Sequence, residues 1–145
     1  MKKAFLLFFV AVLAASCDGP MGPPGRDGRD GLANKRIIDI DVASRQWRVA
    51  YDENGNRFYY AQFDMPEITQ AIYDNGGVFA YHELNGYQQV LPYTRHNKEY
   101  GIEWTRTIDF EFTTGTITFY VTDSDFADTP NAWPETMFFR VVLIW

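Results

Sequence analysis

The chain has 145 residues, 46% hydrophobic and 17% aromatic, with a formal net charge of −6 and a sequence pI of about 4.8. This is one domain's worth of chain with enough apolar residues for a core, and its acidity excludes a basic nucleic-acid-binding face, so no nucleic-acid partner is expected. The chain has one cysteine, which excludes a disulfide framework and a cysteine-based zinc site.

Met1-Lys2-Lys3 is a positive start, and residues 4–15 carry no charge. That apolar run has the length of a secretory signal core, ~7–15 residues, and falls short of the ~20 that span a bilayer. Leu13-Ala14-Ala15-Ser16-Cys17 then sets small residues directly before a cysteine, the pattern of a bacterial lipobox. The protease needs small side chains beside the cut, and the thiol supplies the sulfur of a diacylglyceryl thioether. The common form has leucine three residues before the cysteine. Here Ala14 stands in that place and Leu13 one earlier. Residues 1–16 are therefore expected to be a lipoprotein signal peptide and Cys17 to be lipidated. One acyl chain binds a membrane reversibly, whereas two or three anchor stably. The expected location is the bacterial cell envelope, at the outer membrane or cell surface, with the membrane engaged through the lipid on Cys17.

From Gly19-Pro20-Met21 to Gly31-Leu32-Ala33 the chain runs through five Gly-X-Y triplets in strict register. Glycine at every third position is what a collagen triple helix requires, because only glycine fits at its axis. Five triplets give few interchain hydrogen bonds to set against the entropy of assembling three chains. Residues 17–33 are therefore read as the lipidated cysteine and an extended polyproline II spacer, reaching ~45 Å at ~3.1 Å per residue. On that reading the protein is a monomer, with a trimer through the triplets as the alternative.

Residues 34–145 alternate apolar and polar side chains. Ile38, Ile40 and Val42 alternate with Asp39 and Asp41; Trp47, Val49 and Tyr51 follow. Ile108, Phe110 and Phe112 alternate with Asp109 and Glu111, and Ile117, Phe119 and Val121 with Thr116, Thr118 and Tyr120. A period of two is that of half-buried antiparallel strands. It predicts Phe110, Phe119, Val141 and Leu143 inside, and Asp109, Glu111 and Thr118 outside.

Turns are expected at 52–56 around Asn54-Gly55, at Asn85-Gly86 between strands 78–84 and 87–93, and at Thr113-Thr114-Gly115. A helix is predicted over 65–74, capped by Asp64 with Glu67 in capping-box spacing. Its apolar face would be Ile68, Ala71 and Ile72, and it would end at Asn75-Gly76-Gly77 in residues that accept positive φ. The nearly continuous apolar run 137–145 predicts a central strand covered on both faces. The fold class expected is mainly β: a single antiparallel β-sandwich with one short helix.

Cys17-Asp18-Gly19-Pro20 leading into collagen-like triplets and a small β domain resembles a group of bacterial surface lipoproteins. The segment 68–81, Leu91-Pro92-Tyr93, the strand 116–122 with Asp123, and the run Phe138-Phe139-Arg140-Val141-Val142-Leu143 are similar to that group. The resemblance implies anchoring and a fold, and brings no catalytic residue with it.

No nucleophile, phosphate-loop or dinucleotide motif is present, so no catalytic residue and no cofactor are assigned and the protein is not expected to be an enzyme. His82 is read as a half-buried strand residue with a local hydrogen bond, and His96 as a solvated residue of the polar loop 94–98. Asp123, Asp125 and Asp128 place three carboxylates within six residues at a strand end, an oxygen-donor set that calcium would favour. The competing reading is an acidic loop whose side chains bond to the backbone. Tyr93, Tyr100, Trp104 and Trp133, with Tyr87, fall in or beside expected loops, where exposed rings stack on sugars and packed ones cover the ends of a sandwich. The expected function is that of a lipid-anchored envelope protein presenting a non-catalytic β domain to an envelope protein or glycan, for binding or a structural role. The alternative is a carbohydrate-binding accessory lipoprotein that uses the loop aromatics.

The anchoring expectation is directly testable. Cys17→Ala should leave the membrane fraction or accumulate as uncleaved precursor on detergent partitioning. A mature protein that still fractionates with membranes would refute it.

Overall fold

A computed structural model describes residues 33–125 and 133–145. The expected signal peptide, Cys17, the triplets as far as Leu32, and Asp128 lie outside the described residues. In chain order the elements are β1 (Lys35–Val42), β2 (Arg48–Tyr51), β3 (Arg57–Met65), α1 (Gln70–Asn75), β4 (Gly77–Leu84), β5 (Tyr87–Val90), β6 (Tyr93–Glu99), β7 (Ile102–Thr113), β8 (Gly115–Asp123) and β9 (Met137–Ile144). They build a four-stranded sheet in the order β1-β9-β4-β5 and a five-stranded sheet in the order β2-β3-β8-β7-β6, with every pairing antiparallel. No helix among the described residues is long and apolar enough to cross a membrane.

The inward faces of the two sheets share one core. Met137, Phe139, Val141 and Leu143 of β9 meet Ile117, Phe119 and Val121 of β8, with Tyr59 and Ala61 of β3 beside them. Phe119 stacks on Phe139 with ring centroids 4.0 Å apart, and Trp47 meets Phe139 edge-on at 6.4 Å. The Trp47 indole N–H donates to the Glu135 carbonyl at 3.1 Å, so the ring is buried without leaving its donor unpaired. This is the β-sandwich the alternation predicts.

The turns follow their chemistry. Asp52 accepts from the Asn54 and Asn56 backbone amides and the Asn56 side chain at 2.8–2.9 Å, while Gly55 takes φ 82°. The Asn56 bonds, ahead of those from Asn54 and Gly55, hold the Asp52 carboxyl below its ordinary range. Asn85 (φ 53°) and Gly86 (φ 79°) form the tight β4–β5 turn.

Several expectations are corrected. The helix starts later than predicted, because the ladder claims Asp64 and Met65 for β3, opposite Thr116 and Gly115. Thr69 is the cap instead, accepting from the Ile72 amide at 3.3 Å; Ile68 and Ile72 are buried but Ala71 is exposed. Gly76 is needed for room rather than for positive φ: its φ is −99°, and a Cβ there would lie 2.6 Å from the Ile144 carbonyl oxygen.

The run 87–93 is split. Leu91, buried and bonded to the Ala80 carbonyl at 3.0 Å, and Pro92 carry the chain from one sheet to the other. Residues 94–98 continue as β6 instead of a loop, which leaves His96 exposed on an edge strand. Strand β9 is central but covered on one face only among the described residues, with Phe138 and Ile144 exposed. Finally, Thr118 is buried, and Phe110 and Asp109 are half-buried.

Phe119→Ala should cost ~3–5 kcal/mol in denaturant unfolding, because the cavity opens at the contact between the sheets. Phe110→Ala, at the margin of the core, should cost clearly less. Equal losses would contradict the packing described.

Candidate functional site

The outward face of the five-stranded sheet gathers most of the domain's chemistry. Register places Arg48 of β2 opposite Tyr60 of β3, Tyr60 opposite Tyr120 of β8, and Tyr120 opposite Asp109 of β7. One step along, Gln62, Thr118 and Glu111 form a second row across β3, β8 and β7. Phe58, two residues before Tyr60 on the same face, packs against Tyr120 at 5.9 Å. Three aromatic rings, two carboxylates, an amide and a guanidinium thus share one sheet face.

Two grooves meet on this face. One, of about 400 Å³, runs between Tyr60, Gln62, Glu111, Thr118 and Tyr120. The other, of about 540 Å³, continues past Tyr60 and Gln62 toward Arg45, Arg48 and Asp64. Tyr60 and Gln62 stand between them, lining both.

The polar groups are tightly coupled. The Tyr120 hydroxyl donates to a Glu111 carboxylate oxygen in a short contact. Burial first, and then this bond and the Glu111 charge, push the Tyr120 phenol up to about 12. Burial of Asp109, followed by repulsion from Glu111 on the same face, raises the Asp109 carboxyl above its ordinary value. Its Oδ1 is buried with no hydrogen-bond partner. A carboxylate held ionised in such a place costs stability, and such costs cluster where a surface has work to do.

The residues singled out from sequence are dispersed. Tyr93 packs against the core. Tyr100, 96% exposed, sits with Gly101 at the tip of the β6–β7 hairpin, both with positive φ. Trp104 lies in a separate groove of about 440 Å³ beside His96, Lys98, Glu103 and Ser124. Trp133 meets Tyr59 edge-on at 5.2 Å, and its indole donates to the Ser44 carbonyl at 2.9 Å. Tyr87 is exposed on β5.

Of the acidic trio, Asp123 turns inward, and both of its oxygens accept from Arg106 at 2.7 Å. Asp125 is exposed. Among the described residues no group of three His, Cys, Asp or Glu side chains is placed to hold a metal ion. His82 is deeper than expected: it is only 6% exposed, packs on Phe139 at 5.4 Å, and its Nδ1 has no partner where a local hydrogen bond was expected. Burial lowers its pKa, so it is neutral in the fold; its contribution to stability is present above 6.5 and is lost as pH falls from there toward the folded value.

Comparisons with known protein families, curated proteins and solved structures find no match for this chain.

The raised Asp109 has a definite consequence for stability. Its contribution is greatest below the unfolded value of 3.8 and is lost as pH rises through the folded value. Asp109→Asn should therefore raise the melting temperature at pH 7, with the gain shrinking as pH falls toward 4. A gain independent of pH would rule out the titration as its origin.

Proposed function

We propose that this is a lipid-anchored envelope protein whose β domain binds rather than catalyses, and that it binds through the outward face of the five-stranded sheet. The observation that carries this is the coexistence there of Phe58, Tyr60 and Tyr120 with Gln62, Asp109 and Glu111 along two adjoining grooves. The anchoring rests on Leu13–Cys17, and the non-catalytic reading on the want of any nucleophile or cofactor motif in the chain.

Carbohydrate is the ligand class this face suits best. A pyranose has an apolar side of C–H groups and a rim of hydroxyls. Flat rings cover the first, while carboxylates and amides accept from the second, with charged acceptors making the stronger bonds. The two grooves adjoin at Tyr60 and Gln62, which suits a glycan of more than one sugar. The carbohydrate reading thereby moves from the loop aromatics to the sheet.

Retention of the full-length protein on envelope polysaccharides tests it. Tyr60→Ala and Glu111→Gln should each weaken binding at least ~10-fold, the effect of losing about 1.4 kcal/mol of contact. Trp104→Ala and Trp133→Ala should leave it unchanged. Loss with the tryptophan variants alone would return the site to the loops, and cleavage of the glycan would overturn the non-catalytic reading.

A further inference from the structure

The two grooves on the outward face of the five-stranded sheet differ in charge, and the difference has a direction. Register sets Arg48, Tyr60, Tyr120 and Asp109 in one row across β2, β3, β8 and β7. Three strand spacings of about 4.8 Å separate its ends, ~14 Å in all. Arg45, in the turn before β2, lines the same groove as Arg48. Glu111, two residues after Asp109 on β7, lines the other. One end of the row is thus basic and the other acidic, with Tyr60 and Tyr120 between them. Asp64 also lines the basic groove but stands two rows from Arg48, so two arginines face one acid there.

The charges at the two ends are not satisfied within the domain. Arg45 and Arg48 are exposed, and neither guanidinium has a hydrogen bond or ion pair among the described residues. At the other end Tyr120 occupies Glu111 Oε1 and leaves Oε2 without a donor. Asp109 Oδ1 has no partner, and the carboxyl is raised by burial first and then by the Glu111 charge. A neutral hydroxyl placed here gives one hydrogen bond and leaves the repulsion between the acids as it was. An ammonium supplies three donors and a charge that offsets both carboxylates. At the far end a guanidinium fork matches a planar anion in the same way.

We propose that this face takes a zwitterionic glycan, in which amino sugars bearing a free ammonium alternate with acidic sugars. The glycan runs across the strands, with an ammonium at Asp109 and Glu111 and an anion at Arg45 and Arg48. The inference rests on the carbohydrate-binding reading of the same face. It adds to the stacking on Tyr60 and Tyr120 the charges that the ligand carries and the order in which they come. A glycan of one sign suits the face less well. A purely anionic one meets a chain of net charge −6 and the two acids of β7. A purely cationic one meets two exposed arginines at the other end of the row.

Three oligosaccharides of equal length decide it, each titrated into the full-length protein. Hyaluronan carries charge on its acidic sugars alone and chitosan on its amino sugars alone. In N-deacetylated hyaluronan ammonium and carboxylate alternate. The last should bind at least ~10-fold more tightly than either of the others. Glu111→Gln, and independently Asp109→Asn, should erase its advantage over hyaluronan, because the ammonium loses its acceptors. Arg48→Gln should erase its advantage over chitosan. Equal affinity for all three, or an advantage untouched by these variants, would overturn the charge order. If Tyr60→Ala still weakened binding in that case, carbohydrate binding by the face would stand without it. A protein that holds none of the three but is retained on neutral envelope polysaccharide would overturn the charge order alone. One that holds no glycan at all would overturn both the charge order and the reading beneath it.

Discussion

The whole domain hangs on the contact between Phe119 and Phe139. Each sits on a strand with neighbours on both sides, β8 between β3 and β7, and β9 between β1 and β4. Their stack at 4.0 Å is where the two sheets are pinned face to face. Once these rings point inward, period two leaves every alternate residue of nine strands pointing away from the core. The two outward faces are a direct product of that constraint, and they differ in kind. One collects tyrosines, acids and an amide; the other sets a row of Ile37, Val142 and Phe79 beside Phe138 and the charged Asp39, Asp41, Glu83 and Arg140.

The polar face shows what such a surface costs. Asp109 has an oxygen with no partner, although it occupies the outward register where water would ordinarily satisfy it. Glu111 and Tyr120 satisfy each other. A sheet selected for stability alone would place threonine or lysine at 109 and give up the pair of acids. Two carboxylates two residues apart on one strand are what the proposed binding role of this face would account for.

Much of the architecture was legible because hydrophobic alternation and Asn-Gly dipeptides act locally. The alternation at 38–42, 108–112 and 116–121 and the turns at 54–55 and 85–86 need no long-range information. The failures have definite causes. Asp64 and Glu67 are a real capping signal, but ladder bonds to β8 outweigh a cap. Strand β6 has polar residues on both faces, so no period marks it. Strand β9 is apolar on both faces except at Arg140, and nothing in its own sequence tells whether the second face is covered within the chain. The polar face was missed because its parts lie far apart: Tyr60, Asp109 and Tyr120 become neighbours only through the β3–β8 and β7–β8 registers. The loop aromatics misled because an indole near a loop is as useful for closing a core as for meeting a ligand, and Trp133 meets Tyr59.

Among the described residues the sandwich has four edge strands, β1, β5, β2 and β6, and an edge strand is a template for pairing with another chain. Here β2 and β5 are each four residues long, too short to template a growing sheet. Strand β6 runs Thr94-Arg95-His96-Asn97-Lys98-Glu99, and β1 carries Lys35, Arg36, Asp39 and Asp41. Charged and polar side chains on a sheet edge resist β-augmentation by a neighbour. The polar stretch that hid β6 from a reading by hydrophobic period is thus also the kind of sequence that disfavours pairing at a sheet edge.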